Sequence, residues 1–108
     1  MEYIGVIEDD AKILSEKQVI IFGAGKVGKH CYEVFERKGC TDIVAGFCDN
    51  NNGIVGQQLF EKNIFNVDKA VKEYPDAYYL VASICVRQMV EKLKEYGIEK
   101  IHIIRESN

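Results

Sequence analysis

QVIIFGAGKVG, residues 18–28, joins a continuous apolar run to a glycine-rich turn. An unbroken apolar run of this length that ends at glycine is typical of a parallel strand covered on both faces. After the turn, apolar residues recur at helical spacing, at Val27, Cys31, Val34 and Phe35. This spacing predicts a helix that Gly39 can end. The stretch therefore predicts a strand, a tight turn and a helix in succession.

The same alternation continues to the end of the chain. Four further strands are predicted, at residues 43–48, 63–65, 78–83 and 100–104, of which 63–65 is a short, minor one. Helical patterns cover residues 67–74, capped by Asn66 and stopped by Pro75, and residues 86–96, ended by Gly97. Parallel strands need crossover connections, and these are nearly always right-handed. We therefore expect an α/β fold with a doubly wound parallel sheet (Rossmann-like), of strand order 3-2-1-4-5 with a short third strand.

The first 16 residues show a different pattern. Ile4, Ile7, Ala11 and Leu14 recur at three- and four-residue spacing, which predicts an N-terminal amphipathic helix over residues 1–16. Three roles stay open for it: packing on the domain's own sheet, a dimer contact, or the stub of a linker. No repeat or linker divides the chain, so one domain over residues 1–108 is expected.

Composition limits the function classes. No apolar run approaches the roughly 18 residues that a membrane span needs, and the chain begins with acidic residues, so we expect a cytoplasmic protein without a membrane span. A net charge of -3 offers no basic field for phosphate backbones, so we expect no nucleic-acid partner. The four cysteines form no C-x-x-C pair, which favours buried, reduced thiols over a metal site. A homodimer is expected, because the apolar strand at 101–104 would otherwise end the sheet uncovered.

The glycine turn matches G-x-G-x-x-G between a predicted strand and a predicted helix. In that setting Gly23 permits the tight turn, Gly25 lets the backbone approach a pyrophosphate, and Gly28 lets the helix pack closely. The helix N-terminus then offers N–H groups and a partial positive charge to phosphates. The predicted cofactor-binding residues of this turn are Gly23, Ala24, Gly25, Lys26, Val27 and Gly28.

Asp49 ends the second predicted strand, 21 positions after Gly28, where the motif requires an acid for the ribose hydroxyls. Its charge would repel a 2′-phosphate, which favours NAD over NADP. Asn50 beside it and Ser83, at the end of the fourth strand, complete the predicted site. The alternatives stay open: Asp49 can instead cap the Asn-rich turn, and Ser83 can instead cap the next helix.

Four stretches carry a resemblance to known proteins: VIIFGAGKVGKHCYEVFERKG, GFCDNN, YYLVAS and GIEKIHII. Together they resemble the small Rossmann modules of bacterial nucleoside-diphosphate-sugar epimerase/dehydratases and polysaccharide-biosynthesis proteins. The resemblance implies that Gly23, Gly25, Gly28 and Asp49 contact NAD(P) or a nucleotide sugar. The catalytic Tyr-x-x-x-Lys pair of the epimerases is matched in letters by Tyr96 and Lys100. Gly97 should end the helix between them, so no catalytic residues are assigned.

Three functions follow as hypotheses. The first is a nucleotide-binding module for NAD(H), associated with nucleotide-sugar or polysaccharide metabolism and paired with a catalytic domain. The second is an NAD-dependent oxidoreductase or sugar epimerase that oligomerisation completes. The third is a nucleotide-sugar-binding or sensor domain, or a pure interaction domain that has kept the fold but lost the ligand, because a fold does not determine a function.

Overall fold

The computed structural model of the chain describes residues 2–4, 18–82 and 86–105. The strands in these ranges are β1 (Glu2–Ile4), β2 (Val19–Phe22), β3 (Val44–Cys48), β4 (Gln58–Leu59), β5 (Lys62–Phe65), β6 (Tyr78–Ala82) and β7 (Ile101–Arg105). The helices are α1 (Lys26–Arg37), α2 (Val67–Glu73) and α3 (Val86–Glu95), with a short 3-10 helix at Thr41–Ile43.

These strands form one sheet in the order β1-β7-β6-β2-β3-β5-β4. Neighbouring strands are parallel, apart from the antiparallel pair of β4 and β5. The five predicted strands correspond to β2, β3, β5, β6 and β7, so the Rossmann-like fold class and the strand order 3-2-1-4-5 are confirmed. The chain leaves β2 towards β3 and later returns to β6 on the other side of β2. This reversal creates a switch point between β2 and β6, where ligands bind in open α/β sheets.

The predicted N-terminal helix is wrong at its start. Glu2–Ile4 is a strand that pairs in parallel with β7, in the register Glu2↔Ile103 and Ile4↔Arg105. An unpaired sheet edge presents a row of N–H and C=O groups, and pairing with an extended segment satisfies them. The strand at 101–104 is therefore not the sheet edge, which removes the argument for a homodimer drawn from it. Residues 5–16 of the predicted helix lie outside the described residues.

The core occupies both faces of the sheet because successive strand residues point to opposite sides. All four residues of β2 have zero solvent exposure, as the apolar run predicts. Ile21, Leu80 and Phe47 pack beneath α1 on one face. The other face packs beneath α2 and α3 and includes Ile20, Phe22, Val81, Ala70 and Leu93. Each fully buried valine, leucine, isoleucine or phenylalanine side chain contributes about 1.5–3 kcal/mol relative to exposure.

A short hairpin adds β4 at the outer edge of the sheet, beside the third predicted strand, β5, which itself pairs with β3. β4 and β5 are linked by Phe60 and Glu61, which both have left-handed φ, at 53° and 67°. The Phe60 ring stacks on Tyr32 of α1, with ring centroids 4.6 Å apart and planes 5° from parallel. This stacking is worth about 0.5–1.5 kcal/mol and opposes the strain of the turn.

Candidate functional site

The glycine turn connects β2 to α1 at the carboxyl edge of the sheet. Gly23 has a φ of 117°, a conformation that side chains other than glycine's rarely allow. Its N–H donates to the Cys48 carbonyl oxygen at 2.8 Å, which extends the pairing of β2 and β3 into the turn. The chain then enters α1, for which Gly25 is the N-cap residue.

The other two glycines of the motif have opposite surroundings. A β-carbon on Gly28 would lie 1.8 Å from the Gly23 carbonyl oxygen, so α1 packs against its own turn only because position 28 is glycine. A β-carbon on Gly25 would meet nothing within 4 Å. Gly25 therefore leaves open space in front of the N-terminus of α1. The first N–H groups of a helix have no acceptor within the helix and point into such a space.

Asp49 ties the glycine turn to the loop that follows β3. One carboxylate oxygen, Oδ2, accepts the N–H of Ala24 at 2.8 Å, and Oδ1 accepts the N–H of Asn51 at 2.8 Å. The turn-capping interpretation of Asp49 is thus present in the geometry. Each carboxylate oxygen has a second lone pair, so both can still accept a bond from a ribose hydroxyl.

A groove of about 670 Å³ opens between these elements. It lies at the carboxyl ends of β2, β3 and β6, which is the switch point of the sheet. The volume falls within the range of about 300–1,000 Å³ that is usual for small-molecule sites. The residues that line it are Gly23, Gly25, Lys26, Val27, Asp49, Asn50, Asn51, Ala82, Gln88 and Met89.

The structure brings most of the predicted site residues to this groove. Gly23, Gly25, Lys26, Val27, Asp49 and Asn50 line it. Ala24 is buried, and its N–H is engaged by Asp49. Gly28 is packed under the turn and acts on the site through the position of α1. Ser83 lies outside the described residues.

The sequence analysis missed the wall that α3 contributes. Gln88 and Met89 line the groove, and Lys92, one turn further along α3, donates from Nζ to the Asn50 side-chain oxygen at 3.0 Å. Asn50 and Lys92 are 42 positions apart. No spacing rule joins a helix after β6 to the loop after β3, so only the sheet order indicates this neighbourhood.

The sequence predicts that the cysteines are buried, reduced thiols. Cys31 and Cys48 are buried as predicted, whereas Cys40 is only partly buried. Burial raises the pKa of the Cys31 thiol to about 12. Cys85 lies outside the described residues. Among the described residues, no group of histidine, cysteine and acidic side chains could hold a metal ion.

Tyr96 lies just beyond α3, and Lys100 donates to the Asp76 carbonyl oxygen at 3.4 Å. Desolvation and the nearby Asp68 carboxylate raise the pKa of Tyr96. The helix ends at Glu95 and Gly97 has a φ of 82°, so Tyr96 and Lys100 do not share a helical face, as an epimerase-type pair requires.

Comparisons with known proteins bear on the fold. No protein-family model and no curated protein matches the chain. A solved structure, that of RSP, a Rex-family repressor, superposes with a TM-score of 0.66 at 15% sequence identity. The match covers 88% of this chain and 55% of that one, so the chain spans about half the length of its neighbour. At this identity the likeness concerns the fold. None of the described helices is both long and apolar enough to cross a membrane.

The comparisons correct two expectations. The likeness to Rossmann modules holds at the level of the fold, but nothing found supports the epimerase, dehydratase or polysaccharide part of it. The prediction that nucleic acid is excluded as a partner is wrong. The same fold makes up about half of a protein described as a repressor, so a net charge of -3 on one such chain does not exclude a nucleic-acid partner.

Proposed function

We propose that the chain is a nucleotide-binding domain and that NAD(H) is the ligand that its groove fits best. The observation that carries the proposal is the groove at the switch point, with Gly25 and the N-terminus of α1 on one side and the Asp49 carboxylate on the other. A pyrophosphate needs donors and positive potential, and an adenosine ribose needs an acceptor. The groove has the donors and positive potential at one wall and the acceptor at the other.

In this proposal the pyrophosphate lies in the open space in front of α1. The absent side chain of Gly25 lets the phosphate oxygens reach the first N–H groups of the helix, whose dipole favours negative charge. Lys26 lines the groove and adds an ammonium on the same side. The ribose hydroxyls then donate to the free lone pairs of Asp49, which the bonds to Ala24 and Asn51 hold in place.

A nucleoside diphosphate sugar carries the same pyrophosphate and ribose, so it is a competing ligand for this groove. A second candidate function is a sensor, which the likeness to a repressor favours. In a sensor, ligand binding in the groove would also change the protection of backbone amides outside the groove against hydrogen exchange. Hydrogen exchange with and without ligand separates the two functions, because simple binding protects only the groove residues.

The test is calorimetric titration with NAD, NADH, NADP, a uridine diphosphate sugar and coenzyme A. Gly25→Val is the variant that blocks the site. Its β-carbon enters open space, so the domain should stay folded while the added side chain fills the phosphate position. We expect binding of NAD or NADH that falls at least about tenfold in Gly25→Val. Absence of binding by the whole panel, or unchanged affinity in the variant, would contradict the proposal.

A further inference from the structure

Lys92 lies at the Asp49 end of the groove. It follows Gln88 and Met89 by one helical turn, and both of these line the groove. Its ammonium donates to the side-chain oxygen of Asn50, the residue directly after Asp49. The side chain is half-buried, whereas Lys94 on the same helix is exposed. The hydrogen bond therefore holds a lysine against the loop to which the ribose would bind.

The charge of Lys92 is not neutralised by this bond, because the Asn50 amide is neutral. An ammonium has three donor hydrogens, and the bond to Asn50 uses one of them. Burial raises the pKa of the Cys48 thiol well above its usual value, Asp49 adds to the rise, and Lys92 opposes it. The opposite charges of Lys92 and Asp49 are thus both close enough to Cys48, at the end of β3, to change its pKa.

This arrangement changes the expectation for a phosphate on the ribose. From Asp49 alone, a 2′-phosphate should be repelled. Both oxygens of that carboxylate already accept backbone N–H groups, and the Lys92 cation is bound to the neighbouring Asn50. At similar distances the attraction of Lys92 on α3 offsets the repulsion of Asp49 after β3, because each carries one unit charge and both are partly buried at the same edge of the groove.

On the basis of the proposed function, we infer that Lys92 is a specificity-determining residue that accepts a phosphate group on the adenosine ribose, so that the groove binds NADP as well as NAD. On binding, the ammonium would exchange its bond to Asn50 for one to the phosphate. Both bonds have the ionised ammonium as donor, but the phosphate also carries the opposite charge, and this added attraction favours the exchange.

The experiment compares dissociation constants of NAD and NADP for the wild-type chain, Lys92→Met, Lys92→Arg and Lys94→Met. Lys94 is the matched control, since it lies two positions away and lines a different groove, beside Ile98 and Ile101. We expect wild-type affinities for the two ligands within about tenfold of each other. Lys92→Met should weaken NADP about tenfold, or roughly 1.4 kcal/mol, and NAD less than about threefold. Lys92→Arg should retain NADP binding, and Lys94→Met should change neither ligand.

The salt dependence of wild-type binding is a second measurement that needs no variant. NADP affinity should fall more steeply with added salt than NAD affinity, because a further ion pair is screened. Equal losses of both ligands in Lys92→Met, or wild-type binding of NAD without NADP, would overturn the role of Lys92 and leave the proposed function standing. If the wild-type chain binds neither ligand, both fail.

Discussion

Gly28→Ala tests whether the glycine turn and α1 are packed as closely as the structure shows. The new β-carbon would lie 1.8 Å from the Gly23 carbonyl oxygen and 2.9 Å from its carbonyl carbon. Carbon–oxygen contacts ordinarily lie at about 3.3–3.6 Å. Either α1 or the turn must therefore move by roughly 1.5 Å, and both neighbouring atoms are backbone, which cannot rotate away.

The expected cost is the balance of two effects. Overpacking by one carbon costs about 1–3 kcal/mol, and a clash with backbone belongs at the upper end of that range. Replacing a helical glycine by alanine stabilises the helix by about 1 kcal/mol, because alanine has the higher helix propensity. We expect a net loss of about 2 kcal/mol in the free energy of unfolding, which corresponds to a fall of roughly 10 °C in Tm for a chain of this size.

The assay is thermal and urea unfolding followed by circular dichroism. Gly25→Ala is the control, because it makes the same substitution in open space and should change the stability by less than about 1 kcal/mol, the usual N-cap effect. If Gly28→Ala melts at or above the wild-type temperature, the close packing of α1 on the turn is incorrect, and with it the position assigned to the groove wall.

Three other outcomes are expected. Asp49→Ala should lower the stability by about 2 kcal/mol even without ligand, because it leaves the Ala24 N–H unpaired; a urea midpoint equal to the wild type's would contradict this. Asn66→Ala should cost about 1 kcal/mol, because it removes the cap of α2, and unchanged unfolding would show that the cap contributes nothing. The free energy of unfolding should fall as pH rises above about 9, by about 1.4 kcal/mol per pH unit for each buried thiol, since folded Cys31 and Cys48 keep protons that the unfolded chain releases. Melts recorded between roughly pH 8 and pH 11 that show no decline would rule it out.

Where the sequence misled, the cause was a partner far away along the chain. Ile4 lies at helical spacing to Ile7, yet residues 2–4 form a strand on β7, about 100 positions later. Local spacing cannot report whether a sheet edge elsewhere needs a partner. Net charge misled in a similar way, because a sum over one chain does not describe the partners of proteins that contain its fold.

The sequence by itself determined the fold class and the glycine turn. Apolar runs predicted β2, β3, β6 and β7, and the right-handed crossover rule turned their succession into the observed strand order. These inferences succeed because they depend on burial and on chirality, which act over short stretches of chain.

Only the tertiary structure decided how the groove is built. The bond from Ala24 to Asp49 joins residues 25 positions apart, and the bond from Lys92 to Asn50 joins residues 42 positions apart. Both depend on which strand ends meet at the switch point and on the face of α3 that turns towards them. The position of a side chain at a site depends on the arrangement of several elements that are distant in the sequence, and no local sequence pattern reports that arrangement.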